Sequence, residues 1–551
     1  MIYFLFILVI IGRIMTFGRL HGVSSDEYFY TLVGREILAS ITGDQIDLKT
    51  IDALHPPLFP YILAWVYRLA GENTIEIGRI LGIALNLGAV IFFYKITLLH
   101  FKSSRQALWA TALFAFIPAL WRDADRVWAD NLALFLVTVA IYAVCLSFRS
   151  NKGRYWLPAW LLLAAATLTK EYLGIVLLPA FLVALILWAC KNSNRRYGFI
   201  LIGAMLFVPV LAVVWQLKMA GWPRAGYLEQ MLSPALLAQR CSYLGIGGPD
   251  LRKLYVQNLN QRDFPWSYIL LVFALPFSGK LKGLAGSLAD QGSAGSVYAF
   301  HTVLAISLLT YISLMGHQYG SRLIFPALPS LTLMISLAFF QISRYTPIIF
   351  YSLLATIFSL WSWPMQGQLE SLLSLGLVTT LVFYMALKPI SRNIALRSFL
   401  ATIVILAFIT NSFIVLSCDA AKQKRIISNY GELQGMTGVA RWLRKNTRSK
   451  ERLLTFNPRQ TACLLDYPYR YFADLSWWDI EQPLPQISRE YLVKNRIDWI
   501  IISRPEAYGP LRQGLYQKMR RSDYLVQVYL ETTAGGEVIA AIFKLRKERK
   551  I

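Results

Sequence analysis

The chain has 551 residues, of which 56% are apolar and 16% charged, with a mean hydropathy of +0.47. A soluble domain carries nearer a quarter of charged residues, so this composition excludes an ordinary soluble enzyme and requires a bilayer as solvent. The formal net charge of +24 would point a soluble chain toward nucleic acid, but no basic recognition helix or aromatic RNA-binding motif accompanies it. Nucleic acid is therefore excluded as a partner, and the charge is assigned to loops at a membrane surface.

In chain order, apolar segments of spanning type occupy 2–17, 79–99, 107–121, 128–148, 156–169, 172–190, 198–217, 266–277, 297–315, 323–341, 347–363, 371–387 and 399–416. About 13 transmembrane helices are expected, with 156–169 and 266–277 shorter than the roughly 17 residues a span needs. The first segment has no basic n-region and no small-x-small site, so it is expected to be a helix, not a cleaved signal. After it, 18–78 forms a long loop whose apolar stretch 58–69 is too short to span and suits a helix lying in the interface. Alternate short connections, such as HFKSSRQ, FRSNKGRY and KNSNRRY, collect Lys and Arg. The positive-inside rule makes these cytoplasmic, and the N-terminus with them. Arg13 and Arg19 beside the first helix run against that rule. The loops 18–78 and 218–265 then face outward, as does everything from 419 to 551.

The expected division is a transmembrane domain over 1–418 and a soluble extracytoplasmic α/β domain over 419–551, in a multi-pass protein of the plasma membrane. In the second part 437–446 reads as an amphipathic helix, and 452–456 and 499–502 as buried strands. Gly535-Gly536 sits between 525–532 and 538–545 as in a hairpin. No Gly-x-x-x-x-Gly-Lys loop occurs, which argues against ATP-driven transport. The five cysteines, Cys145, Cys190, Cys241, Cys418 and Cys463, are scattered without a Cys-x-x-Cys pair. Their spacing indicates neither a disulfide framework nor a zinc cluster.

Several polar clusters interrupt this apolar frame. Asp26 and Glu27 in Ser-Ser-Asp-Glu-Tyr are either a solvated loop or a site. On a helix, neighbours differ by about 100°, so only one can aim at a given point, and the other would hold a second group or a metal. Asp26 also suits a helix N-cap. His55-Pro56-Pro57-Leu58 is a rigid entry to the interfacial helix, or else His55 is a metal ligand or a donor to phosphate. Asp130 opens an apolar run, as an N-cap or as an acid facing a cavity. Asp123 and Asp125 read as solvated residues paired to Arg122 and Arg126. Lys170-Glu171 marks a tight turn inside an apolar hairpin, and Lys170 is either turn polarity or a phosphate ligand. Arg322, ahead of Leu-Ile-Phe-Pro-Ala-Leu-Pro, poses the same choice. The expected topology puts all of these at the outer interface.

Taken in order, the acidic pair Asp26-Glu27, Gly34-Arg35-Glu36, His55-Pro56-Pro57-Leu58, Gly78-Arg79-Ile80, Asp130, Leu168-Thr169-Lys170 and Arg322 through Pro329 resemble the GT-C membrane glycosyltransferases. The resemblance is to the branch holding lipid A aminoarabinose transferases, protein O-mannosyltransferase-like enzymes and rhizobial lipopolysaccharide glycosyltransferases. It covers about residues 1–341. It implies a GT-C-like α-helical polytopic fold and a polyprenyl-phosphate sugar as donor. A lipid, glycan or protein would be the acceptor, and membrane lipids the surroundings. It also implies Asp26 as catalytic carboxylate, Glu27 as the neighbour that shapes the site and Asp130 as a second acid. Lys170, with Arg322 and His55, would meet the carrier phosphate, and Glu27 and His55 are candidate ligands for a divalent metal. The aminoarabinose branch has Glu-Lys before its proline motif where this chain has Leu54-His55, and the histidine form resembles the broader members. The other readings are a transporter or flippase of lipid-linked sugar, and a non-catalytic membrane scaffold.

Overall fold

The computed structural model describes residues 2–17, 25–42, 56–101, 103–117, 120–121, 123–170, 172–191, most of 296–307, 325–342, 436–447, 451–455, 472–474, 488–503, 510–532 and 535–546. The segments expected at 198–217, 266–277, 347–363, 371–387 and 399–416, and the loop 218–265, lie outside these. The chain divides into two compact units. One comprises Met1–Phe17, Ala53–Phe59 and Arg79–Cys418, the other Gly18–Asp52, Pro60–Gly78 and Asp419–Ile551.

The described elements of the first unit are helices. They include α1 (Ile2–Thr16), most of α4 (Ile75–His100), α5 (Ser104–Ala115), α6 (Ala129–Ser150), α7 (Trp156–Thr167), α8 (Tyr172–Lys191) and α9 (Leu328–Ile342). Three of these, α4, α6 and α8, are long and apolar enough to cross a bilayer. The chain is a helical membrane protein. Two expected spans prove shorter. α5 and α7 have 12 residues each, roughly 18 Å against a hydrocarbon layer of about 30 Å. α5 stops at Ala115 because Phe116 leaves helical geometry and Ile117 precedes Pro118, which disfavours helical backbone before it. α9 follows directly on a tight helical turn at 325–327, and Pro329 falls in its first turn, where proline is tolerated. α6 is the central element, buried along most of its length, and Asn151 ends it in the left-handed region at φ 56°. Edge-on aromatic contacts of Phe148 with Trp156 and of Trp156 with Trp188 bind α6, α7 and α8 together.

Arg13, which sequence placed at the mouth of the first helix, is 2% exposed. Its guanidinium donates to the Leu120 carbonyl at 2.8 Å, to Asn86 Oδ1 at 3.0 Å and to the Ala115 carbonyl at 3.4 Å. It also lies 4.5 Å over the Trp121 ring. The carbonyls it binds belong to the end of α5 and the short helical turn that follows. A helix terminus leaves such acceptors unsatisfied, and a fork of donors answers them. Gly12 allows this approach, because a Cβ there would collide with the Trp121 ring.

The second unit holds α2 (Ser25–Ile41), most of α3 (Leu58–Ala70) and a five-stranded sheet with its flanking helices. Strands β1 (Arg452–Thr455), β2 (Phe472–Asp474), β3 (Ile497–Ser503), β4 (Leu525–Thr532) and β5 (Val538–Leu545) run in the order β2-β1-β3-β5-β4. The β1 pairings are parallel, and those of β5 antiparallel. Side chains alternate across the sheet. Leu454, Ile500, Ile502 and Phe543 pack on one face with Leu515, Tyr516 and Met519 of α12 (Pro510–Arg521) and Leu492 of α11 (Arg489–Lys494). Leu453, Trp499, Ile501 and Ile542 pack on the other with Val439 and Leu443 of α10 (Met436–Asn446), and Leu32 of α2 joins this cluster. The helix and strands expected over 437–545 are thus present. The packing of α2 with them could not be read from local pattern.

Gly34 lets α2 and α3 approach closely, a Cβ there standing 3.2 Å from Leu63 and Tyr67. α3 buries Phe59, Leu63 and Tyr67, while Tyr61, Trp65 and Leu69 stand exposed at a spacing of four, Leu69 at 83%. Arg68 sits 5.2 Å over Trp65. An exposed apolar stripe edged by a cation is what an interfacial helix presents to a bilayer.

Candidate active site

The site in the first unit grows from the turn that leads into α6. Asn131 organises it: its amide donates to the carbonyls of Asp123 at 3.0 Å, Ala124 at 3.3 Å and Arg126 at 3.1 Å. The turn folds onto α4 at Gly82, where a Cβ would sit 2.7 Å from the carbonyl oxygens of Ala124 and Arg126. This corrects the expectation that Asp123 and Asp125 are solvated, for they are 0% and 4% exposed. A carboxylate leaves water only against compensating charge. Arg126 Nε lies 3.3 Å from Asp123 Oδ1 and its guanidinium 4.5 Å over the Trp128 ring, while both carboxylates act on the charge of Arg13. Arg122 lies outside the described residues.

Asp130 is not the N-cap of α6. Trp128 holds that position, and Asp130 lies in the first turn, 3% exposed, where the helix dipole favours an anion. Its Oδ2 meets Lys170 Nζ at 3.3 Å. Lys170 comes from the turn between α7 and α8, which is drawn tight by backbone bonds from Lys170 N–H to the Ala166 carbonyl at 2.9 Å and from Leu173 N–H to the Lys170 carbonyl at 3.0 Å. Gly174 admits the Thr167 side chain against its backbone, a Cβ there falling 2.6 Å from Thr167 Cγ2. Leu58 N–H donates to the Leu168 carbonyl at 3.1 Å, which fastens the end of the double-proline motif to the Leu168-Thr169-Lys170 turn. Three segments picked out by sequence therefore meet: the proline entry at 56–58, the start of α6, and the Lys170 turn. The Lys170 side chain is 14% exposed and that of Asp130 3%.

Asp26 and Glu27 belong to the second unit and lie in the first turn of α2. The helix begins at Ser25, so Asp26 is inside it and does not cap it. Glu27 is fully buried, and Asp26 is partly exposed. The roughly 100° between neighbours thus sends one carboxylate into protein and leaves the other at a surface. His55, Glu171 and Arg322 lie outside the described residues. Asn131, Gly82 and Arg13 were not foreseen. An Asn directly after Asp130 in an apolar run was the one local hint.

Residues 54–215 match the family model of dolichyl-phosphate-mannose-protein mannosyltransferases. No curated protein matches the sequence. Among solved structures, the chain resembles ArnT from Cupriavidus metallidurans, at 14% identity and a TM-score of 0.56, over 98% of this chain and 97% of that one. The same figures hold for ArnT bound to undecaprenyl phosphate. It also resembles the oligosaccharyltransferase of Archaeoglobus fulgidus tethered to an acceptor peptide, at 12% identity and a TM-score of 0.50, over 99% of this chain and 74% of that one. The chain has the fold of the GT-C membrane glycosyltransferases, which the order of its motifs led us to expect.

Proposed function

We propose that the protein is a glycosyltransferase that moves a sugar from a polyprenyl-phosphate carrier to a lipid, glycan or protein acceptor at the outer face of the plasma membrane. The observation that carries this reading is the Asp130–Lys170 pair at the mouth of a spanning helix, fastened to the proline entry through Leu58 and Leu168. An unpaired cation buried there would be costly, and the carboxylate compensates and aims it until an anionic ligand arrives. The ArnT fold is solved with undecaprenyl phosphate bound, which supports a carrier phosphate as that ligand.

Asp26 takes the proton of the acceptor hydroxyl as its oxygen bonds to the anomeric carbon. The bond from that carbon to the carrier phosphate breaks, the electron pair stays on the phosphate oxygen, and the configuration inverts. A positioned base contributes about 10²–10⁴-fold. Lys170, with Arg322 or a metal, neutralises the charge that grows on the leaving phosphate, and His55 is a candidate hydrogen-bond donor to the same group. Glu27, a buried carboxylate, and His55 are each a candidate ligand for a divalent ion, which would supply Lewis-acid stabilisation of that phosphate. Burial of the polyprenyl tail in the bilayer leaves the head group positioned and not freely diffusing.

The test uses purified protein in liposomes with a panel of labelled polyprenyl-phosphate sugars and an envelope extract as acceptor. Wild type should transfer label and release polyprenyl phosphate, and Asp26→Asn should lower turnover by at least about 100-fold. Near-normal turnover by Asp26→Asn would remove Asp26 from the mechanism.

A further inference from the structure

At the other end of α6, about 22 Å along the helix from Asp130, three side chains that the reaction above does not use come together. They are His100 at the last residue of α4, Cys145 on α6 and His301 on the helical segment 299–305. One ligand atom from each lies within 4.8 Å of the other two. Cys145 and His301 are each 2% exposed.

The hydrogen bonds around the two imidazoles set their chemistry. His100 Nδ1 lies 2.8 Å from the Ile96 carbonyl, which can only accept, so Nδ1 carries the proton and Nε2 the lone pair. His301 Nδ1 lies 2.7 Å from the hydroxyl of Ser330, a fully buried residue in the first turn of α9. Its Nε2 is then the nitrogen that faces Cys145 Sγ, at 3.8 Å. Metal-binding histidines are held in this way, with one nitrogen tied to a carbonyl or hydroxyl and the other turned to the ion. In a tetrahedral zinc site with Zn–S near 2.3 Å and Zn–N near 2.0–2.1 Å, sulfur and nitrogen stand about 3.6 Å apart, close to the observed separation. The rings of His100 and His301 lie edge to face at 5.5 Å, and binding would draw the three ligand atoms, now within 4.8 Å of one another, toward the roughly 3.3–3.6 Å separations of a tetrahedral set.

We propose that His100, Cys145 and His301 form a structural zinc site that clasps α4, α6 and the 299–305 segment, with Ser330 of α9 orienting one ligand. Binding replaces the thiol proton: the S–H bond breaks, an S–Zn bond forms, and the proton leaves to solvent. A thiolate with two imidazoles suits zinc and disfavours magnesium or calcium, which take oxygen ligands. The fourth position is left to water. The separation from Asp130 makes the site independent of glycosyl transfer, so its test reads the metal and not the reaction.

The full-length protein, purified in detergent and equilibrated with one equivalent of zinc, is passed through metal-free buffer and its metal content measured. Wild type should retain about one zinc per chain, and Cys145→Ser and His301→Ala should fall to background. Ser330→Ala should weaken affinity by roughly 10–100-fold. Cobalt added to the zinc-free wild type should give the intense visible bands of tetrahedral coordination and a thiolate-to-cobalt charge-transfer band. This spectrum needs no variant, so it decides the matter even if the substitutions prevent folding. Failure of the wild type to retain zinc, a cobalt spectrum without thiolate character, or equal zinc in wild type and a folded Cys145→Ser would each overturn the proposal.

Discussion

Lys170 and Asp130 are worth more to each other than to the protein. Removing one partner of a buried pair strands the other charge, at a cost of about 3–5 kcal/mol when fully buried, and less here because the Lys170 side chain is partly exposed. Lys170→Met should therefore destabilise more than the double variant Asp130→Asn/Lys170→Met. Melting curves in detergent should show a coupling of about 1–3 kcal/mol. Simple additivity would mean that the two side chains do not act as a pair. Arg13 makes a sharper case. Its fork serves two backbone carbonyls and the Asn86 side chain, which a lysine ammonium cannot reproduce. Arg13→Lys should lower stability by about 1–3 kcal/mol despite keeping the charge. A melting temperature within a degree of wild type would contradict the role assigned to the fork.

At the scale of elements, two glycines predict opposite outcomes. Gly82 faces backbone oxygens that cannot give way, with 2.7 Å left for a Cβ. Gly82→Ala should push the 123–126 turn off α4, cost about 1–3 kcal/mol, and reduce transfer because Asp130 follows directly on that turn. Gly514 in α12 has nothing within 4 Å of a Cβ, so Gly514→Ala should stabilise by about 0.8–1 kcal/mol through helix propensity alone. Thermal melts of the two variants check both signs at once. If Gly82→Ala were silent, the turn would not be packed as described. Helices and strands were largely legible because their signals are local. Periodic apolar runs gave α4, α6 and α8, and alternation with a Gly-Gly turn gave β4 and β5. The ends were less so: α5 stops at Ala115, ahead of Ile117 and Pro118, where apolarity alone ran on.

Across the whole molecule, sequence order sufficed to pick out the segments around the site but not their partnerships. The proline entry, Asp130 and Lys170 could each be singled out, since a polar residue in an apolar run needs a reason. That Leu58 bonds to Leu168, or Arg13 to Leu120 across 107 residues, depends on contacts that no local window contains. The same holds for the His100, Cys145 and His301 cluster. Cys145 and His301 are 156 residues apart, and motif spacing sees only ligands that are close in sequence. Asp123 and Asp125 show the reverse error. Charged residues in a short connection read as solvated until Asn131 and Gly82 fold that connection inward.

The proposed reaction breaks the bond between a sugar and its polyprenyl phosphate. Liposomes holding purified protein, a labelled polyprenyl-phosphate sugar and envelope acceptors allow a direct count of free polyprenyl phosphate against intact donor. Glycosyl transfer should give stoichiometric release of the carrier with label on the acceptor, and loss of both in Asp26→Asn and Lys170→Met. Label that crosses the bilayer while still joined to its carrier would contradict it.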